Sequence, residues 1–154
     1  MKRIVFLCII ILVGVSCDPP EHLDTHCTYW YLKNVTDKSI SVTTVPGHLM
    51  SFLTINPGDS VCFHSFCPPQ HWGIPSFDGL YDIWEKTTMQ NRHTDILSND
   101  GSILKIWNFA DRNAEGRQLF SESFWRLYIK KSEQYTEQTY IWVFDILPED
   151  IAPL

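Results

Sequence analysis

The sequence has no apolar run long enough to cross a bilayer. Its longest, Ile4 to Val15, covers 12 residues and has Gly14 inside it, whereas a spanning helix needs roughly 20. It has no glycine-rich phosphate loop, no Gly-x-Ser-x-Gly elbow, no His-Glu-x-x-His and no calcium loop of the EF-hand type. The local signatures of nucleotide binding, serine hydrolysis, zinc proteolysis and calcium sensing are therefore missing. No unit of 20–50 residues recurs, which excludes a solenoid or a propeller. Positive charge is in deficit: 12 Lys and Arg stand against 18 Asp and Glu, for a formal charge of −6. An acidic chain of this kind is not expected to bind nucleic acid or an anionic membrane surface.

What is present begins with a leader. Lys2 and Arg3 precede the apolar run, and Val15-Ser16 closes it with small residues before Cys17. A positive start, a short apolar stretch and a small-residue end mark a secretory signal. Gly14-Val15-Ser16-Cys17 resembles the bacterial lipobox, with Gly14 where leucine is usual. That resemblance implies cleavage before Cys17 and a diacylglycerol on its sulfur. The expected organisation is a signal peptide over 1–16, a lipidated Cys17 with a tether over 17–24, and one domain over 25–154. Asp18-Pro19-Pro20-Glu21-His22 suits a tether, since the prolines favour an extended spacer and nothing in it demands burial. Lys2 and Arg3 leave with the leader, so the mature chain is two charges more acidic. Its length suffices for one core.

The domain reads as short strands separated by turn chemistry. Thr28-Tyr29-Trp30-Tyr31-Leu32 is β-branched and aromatic, Asn34 to Lys38 is turn-like, and Ser39 to Thr43 alternates, so these two runs are expected to form a first hairpin. Leu49 to Ile55 and Ser60 to Phe66 flank the turn Asn56-Pro57-Gly58-Asp59. Along the second of these, Val61 and Phe63 are expected to point one way and Cys62 and His64 the other. Phe77, Leu80, Tyr81 and Trp84 carry helical spacing, favouring a short helix or turn over a strand. Asp100-Gly101 between apolar runs predicts a tight hairpin. Trp125, Leu127 and Ile129 alternate towards one face. Tyr140 to Ile146 is apolar on both faces, as a central strand would be. Seven or eight such strands predict an all-β chain, a single β-sandwich of Ig-like or related topology.

The Cys17 leader, Asn34-Val35-Thr36-Asp37-Lys38-Ser39-Ile40, Asn56-Pro57-Gly58-Asp59, Ser98-Asn99-Asp100-Gly101 and the ending Phe144 to Ile151 together resemble small Bacteroidetes-type cell-envelope lipoproteins of unknown function. The resemblance implies a lipid-anchored outer-membrane protein, facing the periplasm or the exterior. It brings no catalytic residues.

The cysteine-histidine cluster Cys62, His64, Cys67 and His71 is the one dense set of soft ligands, but its spacing fits no standard zinc motif. An oxidising compartment favours instead one disulfide among Cys27, Cys62 and Cys67. Asp78, Asp82 and Glu85 would share a helix side, which a solvated face explains better than paired catalytic carboxylates. Trp30, Trp107, Trp125 and Trp142 sit in strand-like runs and are expected in the core. His71 and Trp72, in a proline-rich loop, are the candidates for contact with a partner. The expected function is that of a lipid-anchored envelope protein that binds a protein or glycan without catalysis and without a cofactor. The alternative is a metal-dependent or hydrolytic enzyme built on Cys62, His64, Cys67 and His71.

Overall fold

Period-two alternation sets the elements of this chain. The computed structural model describes residues 26–43, 52–67, 76–81, 93–131 and 138–152. Eight strands are found there: β1 (His26–Asn34), β2 (Ile40–Thr43), β3 (Phe52–Ile55), β4 (Ser60–Phe66), β5 (His93–Ser98), β6 (Ile103–Asn108), β7 (Trp125–Lys131) and β8 (Gln138–Ile146). β1 and β8 alternate strictly over nine residues each, burying Thr28, Trp30, Leu32 and Asn34 on one and Tyr140, Trp142, Phe144 and Ile146 on the other. Side chains two apart share a face, so each strand turns one row into the interior.

The strands form two four-stranded sheets, β4-β1-β8-β7 and β3-β2-β5-β6. The expected β-sandwich is the architecture found. β8 lies between β1 and β7, as its two apolar faces required. The first and last strands run parallel at the centre of their sheet, in register from His26 opposite Gln138 to Asn34 opposite Ile146. The other pairings are antiparallel.

The inner rows meet in one core. Trp30, Leu32, Ile40, Val42, Ile55, Ile96, Trp107 and Phe144 are each at most 1% exposed. Trp125 and Trp142 join them, so the four expected core tryptophans are all buried. The Trp125 indole also donates to the Leu119 carbonyl at 2.7 Å. A single 3₁₀ turn at Phe77–Leu80 sends Phe77 and Leu80 inward. Phe77 meets the rings of Trp125 and Trp142 edge-on. The helical spacing read from Phe77, Leu80 and Tyr81 thus corresponds to one turn; Trp84 lies outside the described residues.

The expected first hairpin is corrected. β1 and β2 belong to different sheets, and the segment between them crosses the sandwich instead of reversing within a sheet. Asn34 explains the crossing. Its buried amide donates to the carbonyls of Lys38 at 2.7 Å and Ile55 at 2.9 Å, while its oxygen accepts from the Thr36 amide and hydroxyl. The Asn56–Asp59 turn is stitched to the same residue: Gly58 N–H donates to Asn34 O, and Asn34 N–H to Asp59 O. Gly58 takes φ +82 behind Pro57, the conformation a type II turn requires. This turn also carries the chain across, from β3 to β4. The Asp100-Gly101 hairpin is as expected: β5 and β6 pair antiparallel on either side of it.

Candidate functional site

The cysteine-histidine cluster is taken apart by one β-bulge. In the β1–β4 pairing, Trp30 stands opposite His64 but Tyr31 stands opposite Cys62, so the register shifts at Phe63. An extra residue breaks the period of two. His64 consequently shares the inward face of Trp30, against which it stacks with ring centroids 5.1 Å apart. Cys62 shares the outward face of Tyr31. The expectation that Cys62 and His64 point the same way is therefore corrected. Cys67 is joined to Cys27 in a disulfide, Cα atoms 4.2 Å apart, continuing the register beyond Thr28 and Phe66. One disulfide among the three candidates was expected, and this is the pair formed. Its oxidised sulfur is no thiolate ligand.

Among the described residues Cys62 is the free thiol, and it is exposed. Desolvation by its neighbours raises its pKa above the usual thiol value, opposed by a backbone hydrogen bond at His64. At neutral pH it is a protonated thiol and a weak nucleophile. Among the described residues, no three His, Cys, Asp or Glu side chains converge as metal ligands would. Asp78 is exposed on the 3₁₀ turn. Cys17, His71, Trp72, Asp82 and Glu85 lie outside the described residues.

The outward face of the β4-β1-β8-β7 sheet is the feature that sequence reading missed. The registers place Ser65, Tyr29, Ile141 and Tyr128 in one row across the four strands. The next row is Cys62, Tyr31, Val143 and Arg126, and the third begins Ser60, Lys33, Asp145. Three tyrosines and two aliphatics thus make the centre of a face opposite the core. Tyr29, Tyr31, Ile141 and Val143 are partly exposed, and Tyr128 is 49% exposed. Arg126 donates to Asp145 at 2.7 Å, giving the face a charged margin. A solvated outer face ordinarily reads polar. The tyrosines present flat apolar rings with a hydroxyl at the edge, the amphipathic surface favoured where partners dock. The signal lies in the odd-numbered residues of Thr28 to Leu32 and in Ile141 and Val143, whose apolar character a central position alone also explains.

At the Asn34 end of the sandwich lies a cleft of about 410 Å³, lined by Lys38, Ser39, Ser98, Asn99, Asp100, Leu104 and Ile151. Asp100 accepts from the Ser98 hydroxyl and from Ser102 N–H, which holds its pKa down to about 2. The carboxylate is therefore ionised across the physiological range, but its hydrogen bonds serve the turn. At the same end Arg117 donates to buried Asp150 at 3.0 Å and lies 4.4 Å over the Phe144 ring, fixing the chain after β8. No known protein family, curated protein or solved structure matches the chain.

Proposed function

We propose that this chain is a lipid-anchored protein of the bacterial cell envelope, held in the outer membrane through Cys17, whose sandwich binds a protein or glycan partner and performs no catalysis. The observation that carries the binding reading is the tyrosine face: Tyr29, Tyr31 and Tyr128 around Ile141 and Val143, on the side of the sheet turned away from the core. An apolar face rimmed by charge is what a docking surface needs. The leader, the acidic tether and the resemblance to envelope lipoproteins support the location. Against the four-residue cluster of the enzymatic alternative stand the oxidation of Cys67 and the opposite faces of Cys62 and His64.

The test is a glycan array and a cross-linked envelope pull-down with the full chain. Wild type is compared with a Tyr29→Ser, Tyr31→Ser double variant and with Ser65→Ala as a control at the margin. Capture should drop at least tenfold in the double variant and hold in the control. A folded double variant that captures as wild type does removes the face from the site. Loss of capture on Trp72→Ala alone would move the site to the proline-rich segment that holds His71 and Trp72.

A further inference from the structure

We propose that β7 is an acceptor edge, taking an added strand from a partner protein: an extended segment with an apolar middle flanked by aspartate or glutamate. The inference rests on the binding reading above and specifies its partner's chemistry.

The four sheet edges of the described sandwich differ. Edge strands leave backbone donors and acceptors unpaired, and proteins blunt them with bulges, short length or charge. β4 is bulged at Phe63, β6 has a register shift opposite Ile96 and Leu97, and β3 has four residues. β7 is neither bulged nor short, and its charges, Arg126, Lys130 and Lys131, flank an uncharged middle. It pairs with β8 without a break over seven residues, from Trp125 opposite Phe144 to Lys131 opposite Gln138. It contains no proline, and Arg126 to Lys131 are all exposed. Its middle is apolar on both faces. Leu127 and Ile129, opposite Trp142 and Tyr140, are 41% and 51% exposed although they lie on the core side; Tyr128 continues the outer tyrosine face. An unbroken edge with exposed apolar side chains on both faces is the template that strand addition uses.

Charge selects the occupant. β7 carries Arg126, Lys130 and Lys131 and no acid, on a chain of net charge −6. Two copies pairing antiparallel about Tyr128 would set Arg126 of each against Lys130 of the other, and like charges directly opposite are destabilising. An incoming strand instead gains by placing apolar residues beside Leu127, Tyr128 and Ile129 and carboxylates beside Lys130 and Lys131, with a third beside Arg126, which already pairs with Asp145. Backbone pairing supplies the affinity and these positions the selectivity.

The probe is a capped, labelled peptide containing Glu-Glu-Val-Thr-Val-Glu, set against its Lys-Lys-Val-Thr-Val-Lys counterpart. Both are titrated into the full chain at low and high salt, with amide exchange followed by mass spectrometry. The acidic peptide should bind at least tenfold more tightly, weaken with salt, and slow exchange within residues 126–131. Lys130→Glu with Lys131→Glu should invert the preference; Lys130→Gln, the milder change, should reduce it. Equal binding of the two peptides, saturable binding of neither, or protection elsewhere overturns the proposal. So does dimerisation of the free protein through β7. Partner capture that is lost in the tyrosine double variant but indifferent to the lysine reversal also overturns it, while leaving the binding reading in place. A glycan as the captured partner has the same consequence.

Discussion

Asn34 uses its whole side-chain hydrogen-bonding capacity inside the protein. Its two amide hydrogens reach carbonyls of two different connections, and its oxygen accepts twice from Thr36. Both connections cross between sheets, so this one residue holds the sandwich closed at that end. Removing it takes the donor from the Ile55 carbonyl and the acceptor from the buried Thr36 N–H, while the Lys38 carbonyl keeps the Thr36 hydroxyl, and an unsatisfied buried polar group costs about 1–3 kcal/mol. Asn34→Ala should therefore lower the unfolding free energy by about 3 kcal/mol, measured by urea denaturation. Asn34→Asp tests the orientation of the amide. A carboxylate there would face two carbonyls, so the folded state would bind its proton more tightly than the unfolded state does. The introduced group then has a raised folded pKa, and its penalty is greatest above that value and relieved below the unfolded pKa of about 4. The gap between the Asp and Ala variants should narrow as pH falls; a gap independent of pH would mean that the amide does not point at those carbonyls. Asp100 runs the other way. Its depressed pKa contributes stability that is present above the unfolded value and is lost as pH falls towards about 2.

The β5–β6 hairpin shows what a local signal can carry at the scale of an element. Gly101 has φ +84 and its N–H donates to Ser98 O, closing the turn. An added Cβ at Gly101 would meet nothing within 4 Å, so Gly101→Ala tests backbone strain alone. A left-handed conformation costs a non-glycine residue about 1–2 kcal/mol, and urea denaturation should register a loss of that size with the fold unchanged by circular dichroism. This turn was legible because Asp-Gly chemistry and flanking alternation agree. The Asn34 to Lys38 and Asn56 to Asp59 turns were equally legible as reversals, but their composition does not say whether the chain returns beside its own strand or on the facing sheet. That choice depends on Asn34 meeting Ile55 O, 21 residues away in sequence. The bulge at Phe63 was illegible for a related reason. Val61 to Phe66 keeps its apolar residues whether or not one position is inserted, so the alternation could not report that His64 turns inward. The disulfide could be expected from the compartment, but Cys27 and Cys67 meet through the β1–β4 register, which is a tertiary fact. The exposure of Leu127 and Ile129 follows from sheet order, not from their own pattern: they occupy the inward row of a strand that happens to end its sheet.

For the whole molecule, the two sheets divide the work. Their facing sides form a core rich in tryptophan and phenylalanine, and the outward side of the β4-β1-β8-β7 sheet keeps a tyrosine centre that the core does not need. A domain that offers such a face gains from being held near its partner, which is where the proposed anchor enters. Among the described residues no helix is long and apolar enough to cross a membrane, so residency there rests, in this reading, on lipid at Cys17. Each buried methylene of an acyl chain contributes ~0.8 kcal/mol, so several chains on one residue hold far more firmly than a single one. Expressed in a bacterium with an outer membrane, the wild-type chain should partition into the detergent phase of Triton X-114 and carry the added mass of its acyl groups on a fragment that begins at Cys17. Cys17→Ser should move it to the aqueous phase without that mass, while its urea denaturation midpoint stays within error of wild type, because Cys17 precedes β1 by nine positions in the sequence. If the variant instead remains with the membrane and its mass is unchanged from that of wild type, lipid on Cys17 is not the anchor, and the tyrosine face or the β7 edge becomes the first surface to test for membrane contact.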